Sequence, residues 1–138
     1  MSDDLAVDAF YPHPPAKVWR ALTEPDLIAR WLMPGDFRLE AGHRYTMRVA
    51  PMPAAGFSGH IDAEVLGFEP ERMLRVRWRD AAGDGAWTIT WTLHPEGRGT
   101  RLFLLQEGGP GLRRARLVMG AGWSGRIAER LLEVLDAI

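Results

Sequence analysis

Two stretches of the 138-residue chain, residues 73–80 and residues 85–95, alternate between apolar and polar side chains. Their apolar positions are Leu74, Val76 and Trp78 in the first stretch, and Trp87, Ile89, Trp91 and Leu93 in the second. Their polar positions are Arg75, Arg77 and Arg79, and Thr88, Thr90 and Thr92. Successive side chains of a strand point to opposite faces, so this period of two predicts two strands, each with one buried and one solvated face. The glycine-containing link at residues 81–85 predicts a hairpin turn between them.

The preceding and following segments extend this antiparallel pattern and add two helices. Leu5–Tyr11 alternates and runs into a proline-rich turn, which predicts a first strand. Residues 43–49, 60–68 and 100–106 continue the strand pattern, separated by turn-forming compositions. Residues 15–32 have helical spacing and begin with Pro15, which suits a helix start. They predict two short helices that meet at residues 23–25, with Thr23 capping the second.

A long helix is predicted at the C-terminal end of the chain. Apolar residues recur with a period near 3.6 from Leu112 to Ile138. Gly120, Gly122 and Gly125 interrupt this pattern and predict a bend near Trp123, because glycine is unfavourable inside a helix. We expect the apolar stripe of this helix to pack on the concave face of the sheet.

Composition and charge exclude several classes of protein. Hydrophobic residues make up 46% of the chain, which predicts one globular domain over residues 1–138. Seventeen basic residues against 18 acidic ones, without a basic run, argue against nucleic-acid binding. The absence of cysteine excludes disulfides and thiolate metal sites. With no signal peptide and no apolar run of ~18 residues, we expect a cytoplasmic protein that does not insert into membranes.

The histidines are the first candidates for chemistry. His13, His43, His60 and His94 lack metal-ligand spacing, so we expect neither a metal site nor another cofactor. His60, Asp62 and Glu64 alternate along one predicted strand and therefore share a face. They form an acid-base group if that face lines a cavity. They are a solvated polar row if Ile61, Ala63 and Val65 face inward instead.

The tryptophans indicate a binding pocket. On the alternation argument, Trp78, Trp87 and Trp91 project into the space between sheet and helix, where aromatic side chains can line a small-molecule site. The alternative is that these rings only fill the core. The predicted lining set is Trp31, Phe37, Tyr45, Met47, Trp78, Trp87, Trp91, Gln106, Met119, Trp123 and Ile127. Arg116 and Arg130, beside the helix stripe, either pair with a ligand carboxylate or extend to water.

Phe103 and Leu105 lie on the predicted outer face of the last strand. Two interpretations remain open for this apolar pair. It forms a subunit contact of a homodimer, or a neighbouring strand or loop covers it.

The order of elements and several short motifs resemble one known family. The opening motif consists of Val18, Trp19, Ala21, Leu22, Thr23, Pro25 and Trp31. Later motifs follow in order at residues 42–45, 70–74, 99–102 and 122–123. The order of elements is similar to the helix-grip fold of the START and Bet v 1-like (SRPBCC) superfamily. The motifs resemble those of the family named after the C-terminal domain of the heat-shock protein 90 ATPase activator.

The resemblance implies an α+β helix-grip domain with about six to seven antiparallel strands, two short helices after the first strand and a long C-terminal helix. Its members bind lipids, polyketides or other apolar small molecules in a cavity under that helix. We therefore interpret the chain as a binding protein for such a molecule. One alternative is a polyketide cyclase-like or hydrolase-like enzyme that uses the same cavity. Another is a co-chaperone or protein-interaction module. Where many members carry His followed by Gly, this chain has Gln106 and Gly108, so no role of that histidine is carried over.

Overall fold

The computed structural model describes residues 5–32, 35–48, 60–80, 86–108 and 126–138 of the chain. The strands in these ranges are β1 (Leu5–Tyr11), β2 (Arg44–Arg48), β3 (His60–Glu69), β4 (Met73–Asp80), β5 (Ala86–Glu96) and β6 (Gly99–Gly108). The helices are α1 (Pro15–Thr23), α2 (Pro25–Trp31) and α3 (Arg126–Ala137). The predicted turn at residues 81–85 and the predicted helix before residue 126 lie outside the described residues, as does the predicted bend near Trp123.

The strands form one antiparallel sheet in the order β1-β6-β5-β4-β3-β2. Strands β2 to β6 are neighbours in sequence and in space, as expected for a meander. Strand β1 pairs with β6, so that Leu5 lies opposite Gln106 and Tyr11 opposite Thr100. The predicted antiparallel α+β arrangement is confirmed.

One face of the sheet, called here the inner face, carries the apolar side chains that alternate along each strand. Leu74, Val76 and Trp78 on β4 are buried, while the arginines between them are exposed. A bulge between Val65 and Gly67 shifts the alternation of β3 by one residue and leaves Leu66 exposed. The period of two therefore predicts the faces correctly on each side of this bulge.

Thr90 departs from the predicted solvated face of β5. Its side chain lies on the outer face of the sheet but is only 8% exposed. The Nε of Arg75 donates a hydrogen bond of 3.2 Å to the Thr90 hydroxyl, and Leu105 lies opposite Thr90 on β6. The prediction of a wet Thr90 was wrong, because long side chains of both neighbouring strands cover the small hydroxyl.

Helix α1 begins at Pro15, as predicted, and buries Val18, Trp19, Ala21 and Leu22. The Nε1 of Trp31 at the end of α2 donates a 2.8 Å hydrogen bond to the Ala21 carbonyl, which joins the two helices.

The predicted cap at Thr23 was wrong. The Thr23 hydroxyl donates back to the Trp19 carbonyl, and Glu24 occupies the N-cap position of α2 without capping the helix through its side chain, which accepts from Arg20. Thr23 is still part of α1, so its hydroxyl reaches the backbone carbonyl one turn earlier.

The helices form a layer against the inner face. Helix α1 contacts β5 and β6, and α3 packs against α1 and α2. Leu131, Val134 and Leu135 of α3 are buried, and they join the same core as the sheet residues. In the ranges that the structure describes, no helix is long and apolar enough to span a bilayer.

Candidate ligand-binding site

The pairing of the strands places four side chains, three of them aromatic, in one row across the inner face. Trp87 on β5 lies opposite Trp78 on β4, Trp78 lies opposite Ala63 on β3, and Ala63 lies opposite Tyr45 on β2. All four are buried. The next row on this face pairs Ile89 with Val76, and the row after it pairs Trp91 with Leu74. The alternation of each strand predicted the face, and the register determines which rings meet.

An apolar cavity of about 20 Å³ lies next to these rows. Six predicted residues line it: Trp31, Phe37, Tyr45, Met47, Trp78 and Trp91. The centroids of the Trp78 and Trp91 rings are 6.3 Å apart at an interplanar angle of 62°, and those of Phe37 and Tyr45 are 5.2 Å apart at 84°. Both pairs are edge to face, which is a favoured arrangement of aromatic rings. The volume corresponds to about one water molecule.

Four further lining residues were not part of the predicted set. They are Leu22, Ile28, Leu32 and Leu74. Helical spacing indicates an apolar face on α1 and α2, and it could have identified Leu22 and Ile28 as inward-facing. This face covers β2 and β4 because of the way α2 packs. A local sequence pattern does not show such packing.

The remaining predicted site residues divide into two groups. Trp87 and Gln106 are buried on the inner face but are not among the lining residues of the cavity. Met119 and Trp123 lie outside the described residues. Ile127 belongs to α3, but its side chain lies outside the description. Arg130 is exposed on α3, and Arg116 lies outside the described residues.

The inner face is electrically neutral where the structure describes it. Thr100 and Gln106 are its buried polar residues, Thr90 being on the outer face, and none of the three ionises. Burial raises the pKa of Tyr45, and an interaction with the Trp78 side chain opposes this shift in part. Burial also raises the pKa of Tyr11 to about 12. Both phenols therefore stay protonated at neutral pH.

His60, Asp62 and Glu64 lie on the opposite, outer face of the sheet. Ile61, Ala63 and Val65 are the inward residues of β3. Of the two interpretations left open by the sequence, the solvated polar row is therefore confirmed.

The two carboxylates of this row pair with arginines of β4. Asp62 lies 3.3 Å from Arg79, and Glu64 lies 2.7 Å from Arg77. Arg44 of β2 also approaches Glu64, at 3.8 Å. An open hollow of about 580 Å³ passes over these ion pairs. The described lining of this hollow contains three arginines and three carboxylates, so neither positive nor negative charge is in excess.

The other three histidines lie apart from one another. His13 contacts Asp136, His43 contacts the Asp36 carbonyl, and His94 packs edge-on against Phe103. Across the described ranges, no three histidine or acidic side chains converge in a way that would hold a metal ion.

A six-stranded antiparallel sheet whose apolar face is covered by helices, the last of them at the C-terminus, defines an α+β protein of the helix-grip type. The family model of "Activator of Hsp90 ATPase homolog 1-like protein" matches residues 12–136. The chain belongs to this family, which is of the SRPBCC type. The predicted resemblance is confirmed.

Some solved structures have the same fold as this chain and nearly the same length. Protein MLL2253 from Mesorhizobium loti is 37% identical, with a TM-score of 0.82 and 97% of each chain covered. Protein CV1439 from Chromobacterium violaceum is 24% identical, with a TM-score of 0.79 and 97% of each chain covered, and it supports the fold alone. A search of curated proteins finds no match.

DynU16, a protein of the dynemicin biosynthetic locus, is 26% identical to the chain, with a TM-score of 0.78. The match covers 99% of this chain and 48% of DynU16. The chain therefore corresponds to about half of that protein.

Proposed function

We propose that the protein binds an apolar or aromatic small molecule, lipid-like or polyketide-like, between the inner face of the sheet and the helices, where α1 and α2 form the described helical wall of the cavity. The observation that carries the proposal is the aromatic cavity beside Trp78, Trp91 and Tyr45. Rigid rings present large apolar surfaces that lose little conformational freedom when a ligand packs on them. Small-molecule sites of proteins are commonly built in this way.

The cavity has to enlarge when a ligand enters, because pockets for small molecules are typically about 300–1,000 Å³. Two lining side chains suit this change. Met47 has a flexible thioether side chain that adapts to different shapes. Leu32 is half-buried and follows the last turn of α2, with φ −121° and ψ −88° outside the helical region. Their movement would open space while the tryptophan rings stay in place.

The likeness to DynU16 supports the same class of function. That protein is encoded in a biosynthetic locus, which agrees with a role in handling small organic molecules. Inward-facing His60, Asp62 or Glu64 would have favoured the alternative of an enzyme using the cavity, and all three face outward. We therefore favour binding over catalysis.

A protein-interaction module is the second candidate, and the exposed apolar side chains of β6 favour it. Phe103 is 40% exposed and Leu105 is 37% exposed on the outer face. Such a pair is suited to contact a second copy of the chain. Light scattering of the wild type and of the double variant Phe103→Ser, Leu105→Ser tests this. A dimer that becomes a monomer in the variant supports the candidate, and a monomeric wild type contradicts it.

The binding proposal is tested by native mass spectrometry of the purified protein and by quenching of its tryptophan fluorescence with fatty acids and neutral polycyclic aromatics. Leu32→Trp would fill the cavity from the end of α2, and we expect at least a tenfold loss of affinity. Leu66→Trp is the matched control, because it adds the same group at an exposed position of β3. Absence of any binding, or equal binding by Leu32→Trp, would contradict the proposal.

A further inference from the structure

Trp87 brings a buried hydrogen-bond donor to the inner face. Its side chain is 5% exposed, and its Nε1–H has no acceptor among the residues that the structure describes. The strand register explains why. Gly108 on β6 and Trp78 on β4 lie opposite Trp87. Glycine has no side chain, and an indole N–H only donates, so neither neighbour supplies a side-chain acceptor.

The polar groups near Trp87 are engaged in other interactions. Trp78 interacts with the Tyr45 hydroxyl and packs edge-on against Trp91. Gln106, diagonal to Trp87 across β5 and β6, also makes a further interaction. A buried donor without an acceptor destabilises the folded protein, and such donors in native structures usually serve a purpose.

Trp87 is also adjacent to the wall of the cavity. Trp78 lines the cavity, and Trp87 is the next residue of the same row, one strand further along the sheet. A molecule that enlarges the cavity along this row would therefore meet the Trp87 indole. Its acceptor atom would supply the partner that the described residues do not provide.

We propose that the ligand presents a neutral carbonyl oxygen to the Trp87 indole N–H. This inference rests on the ligand-binding function proposed above and names the chemical class of the ligand. The acceptor is neutral because no buried residue of the described inner face carries a charge. A carboxylate would be removed from water there without a cation to pair with it. A ligand of the same shape without the oxygen would leave the donor unpaired, so the site discriminates between the two.

Fluorenone and fluorene are suitable probes, since they share one ring skeleton and differ by a carbonyl in place of a methylene group. We expect the wild type to bind fluorenone about 3- to 10-fold more tightly, the range given by one net hydrogen bond. In Trp87→Phe, the affinity for fluorenone should fall to that for fluorene, while fluorene binding stays within about twofold. Trp91→Phe is the matched control, because it removes an indole from the same face of the same strand. It should change both affinities and keep their ratio.

A second measurement needs no variant. Each of the six tryptophans contributes one indole N–H signal to a proton-nitrogen correlation spectrum. On adding fluorenone, the Trp87 signal should move downfield, as expected when an N–H gains an acceptor. Fluorene should produce no such downfield shift.

The outcomes separate this inference from the proposed function. If both probes bind with equal affinity, or if Trp87→Phe keeps the preference for fluorenone, the carbonyl inference is overturned and ligand binding stands. Tighter binding of fluorene carboxylate than of fluorenone would overturn the inference that the acceptor of the ligand is neutral. If neither probe binds, and the wider panel of compounds also fails, both proposals are overturned.

Discussion

The imidazole of His13 and the carboxylate of Asp136 are joined by a contact of 2.7 Å between Nε2 and Oδ1, although 123 positions separate the two residues. Since a carboxylate only accepts, Nε2 is the donor. The contact ties the turn after β1 to the last turn of α3. The same turn is held to the sheet by a hydrogen bond from the Thr100 hydroxyl to the His13 carbonyl.

We expect this contact to stabilise the docking of α3. In a double-mutant cycle with His13→Gln and Asp136→Asn, the coupling energy should be about 0.5–1 kcal/mol, because the histidine is mostly buried and the aspartate is not. Urea unfolding measures the free energies. The exposed pair Arg20 and Glu24, 2.8 Å apart on one helix, is the control and should couple by about 0.3–0.5 kcal/mol. A His13–Asp136 coupling no larger than the control would contradict the expectation.

Both tyrosines of the chain are buried, and this predicts a distinctive alkaline titration. Burial raises the pKa of Tyr11 from 10.0 to about 12, and it also raises the pKa of Tyr45. A raised folded-state pKa leaves stability unchanged below pH 10 and lowers it as the pH rises toward the folded-state value. For Tyr11 the loss amounts to about 2 kcal/mol.

Absorbance of the phenolate measures this directly. The folded protein should show no ordinary phenolate step near pH 10, and both tyrosines should ionise together with unfolding at higher pH. In concentrated urea both should titrate near their ordinary value. Tyr11→Phe should remove one of the two phenolates and make stability less dependent on pH above 10. A phenolate step near pH 10 in the folded protein would refute the burial argument.

The hydrogen bond to Asp36 is expected to make the stability of the protein depend on pH in the acidic range. The Thr46 backbone N–H donates to its carboxylate at 2.8 Å, which lowers the pKa of Asp36 below 3.8. Stability from this bond is therefore complete above the unfolded-state pKa and is lost as the pH falls through the lower folded-state value. Because the carboxylate is exposed, Asp36→Asn should cost only about 0.5 kcal/mol or less at neutral pH.

The measurement is urea unfolding of the wild type and Asp36→Asn between about pH 3 and pH 6. The difference in free energy of unfolding should shrink toward the acidic end. Glu40→Gln, an exposed carboxylate of the same loop, is the control and should change stability less. A difference that is independent of pH would exclude the carboxylate as its source.

Gly99, at the start of β6, lies where the addition of one methyl group is expected to destabilise the protein. A Cβ at this position would overlap the Tyr11 carbonyl oxygen and the Phe10 ring. Gly99→Ala should therefore lower the free energy of unfolding by about 1–3 kcal/mol, as overpacking does elsewhere. At Gly67 a Cβ would meet nothing within 4 Å, so Gly67→Ala should stay within about 0.5 kcal/mol of the wild type. Thermal unfolding compares the two, and equal effects would contradict the steric explanation.

The faces of the strands and the starts of the helices follow from the sequence alone. Trp78, Trp87 and Trp91 are buried where the alternation places them, since a side chain's face depends only on its position along its own strand. Pro15 starts α1 because its ring has the backbone angle of a first helical residue. The apolar period near 3.6 likewise predicted the closing helix, of which the structure describes Arg126–Ala137.

Tertiary structure decided which of these side chains meet. Trp87, Trp78, Ala63 and Tyr45 form one row through register, which depends on the turns and on the bulge at Val65. The cavity wall from α2, the burial of Thr90, and the contact of His13 with Asp136 all join segments far apart in sequence. Local periodicity contains no information about such pairs, because their geometry arises from the packing of whole elements against each other.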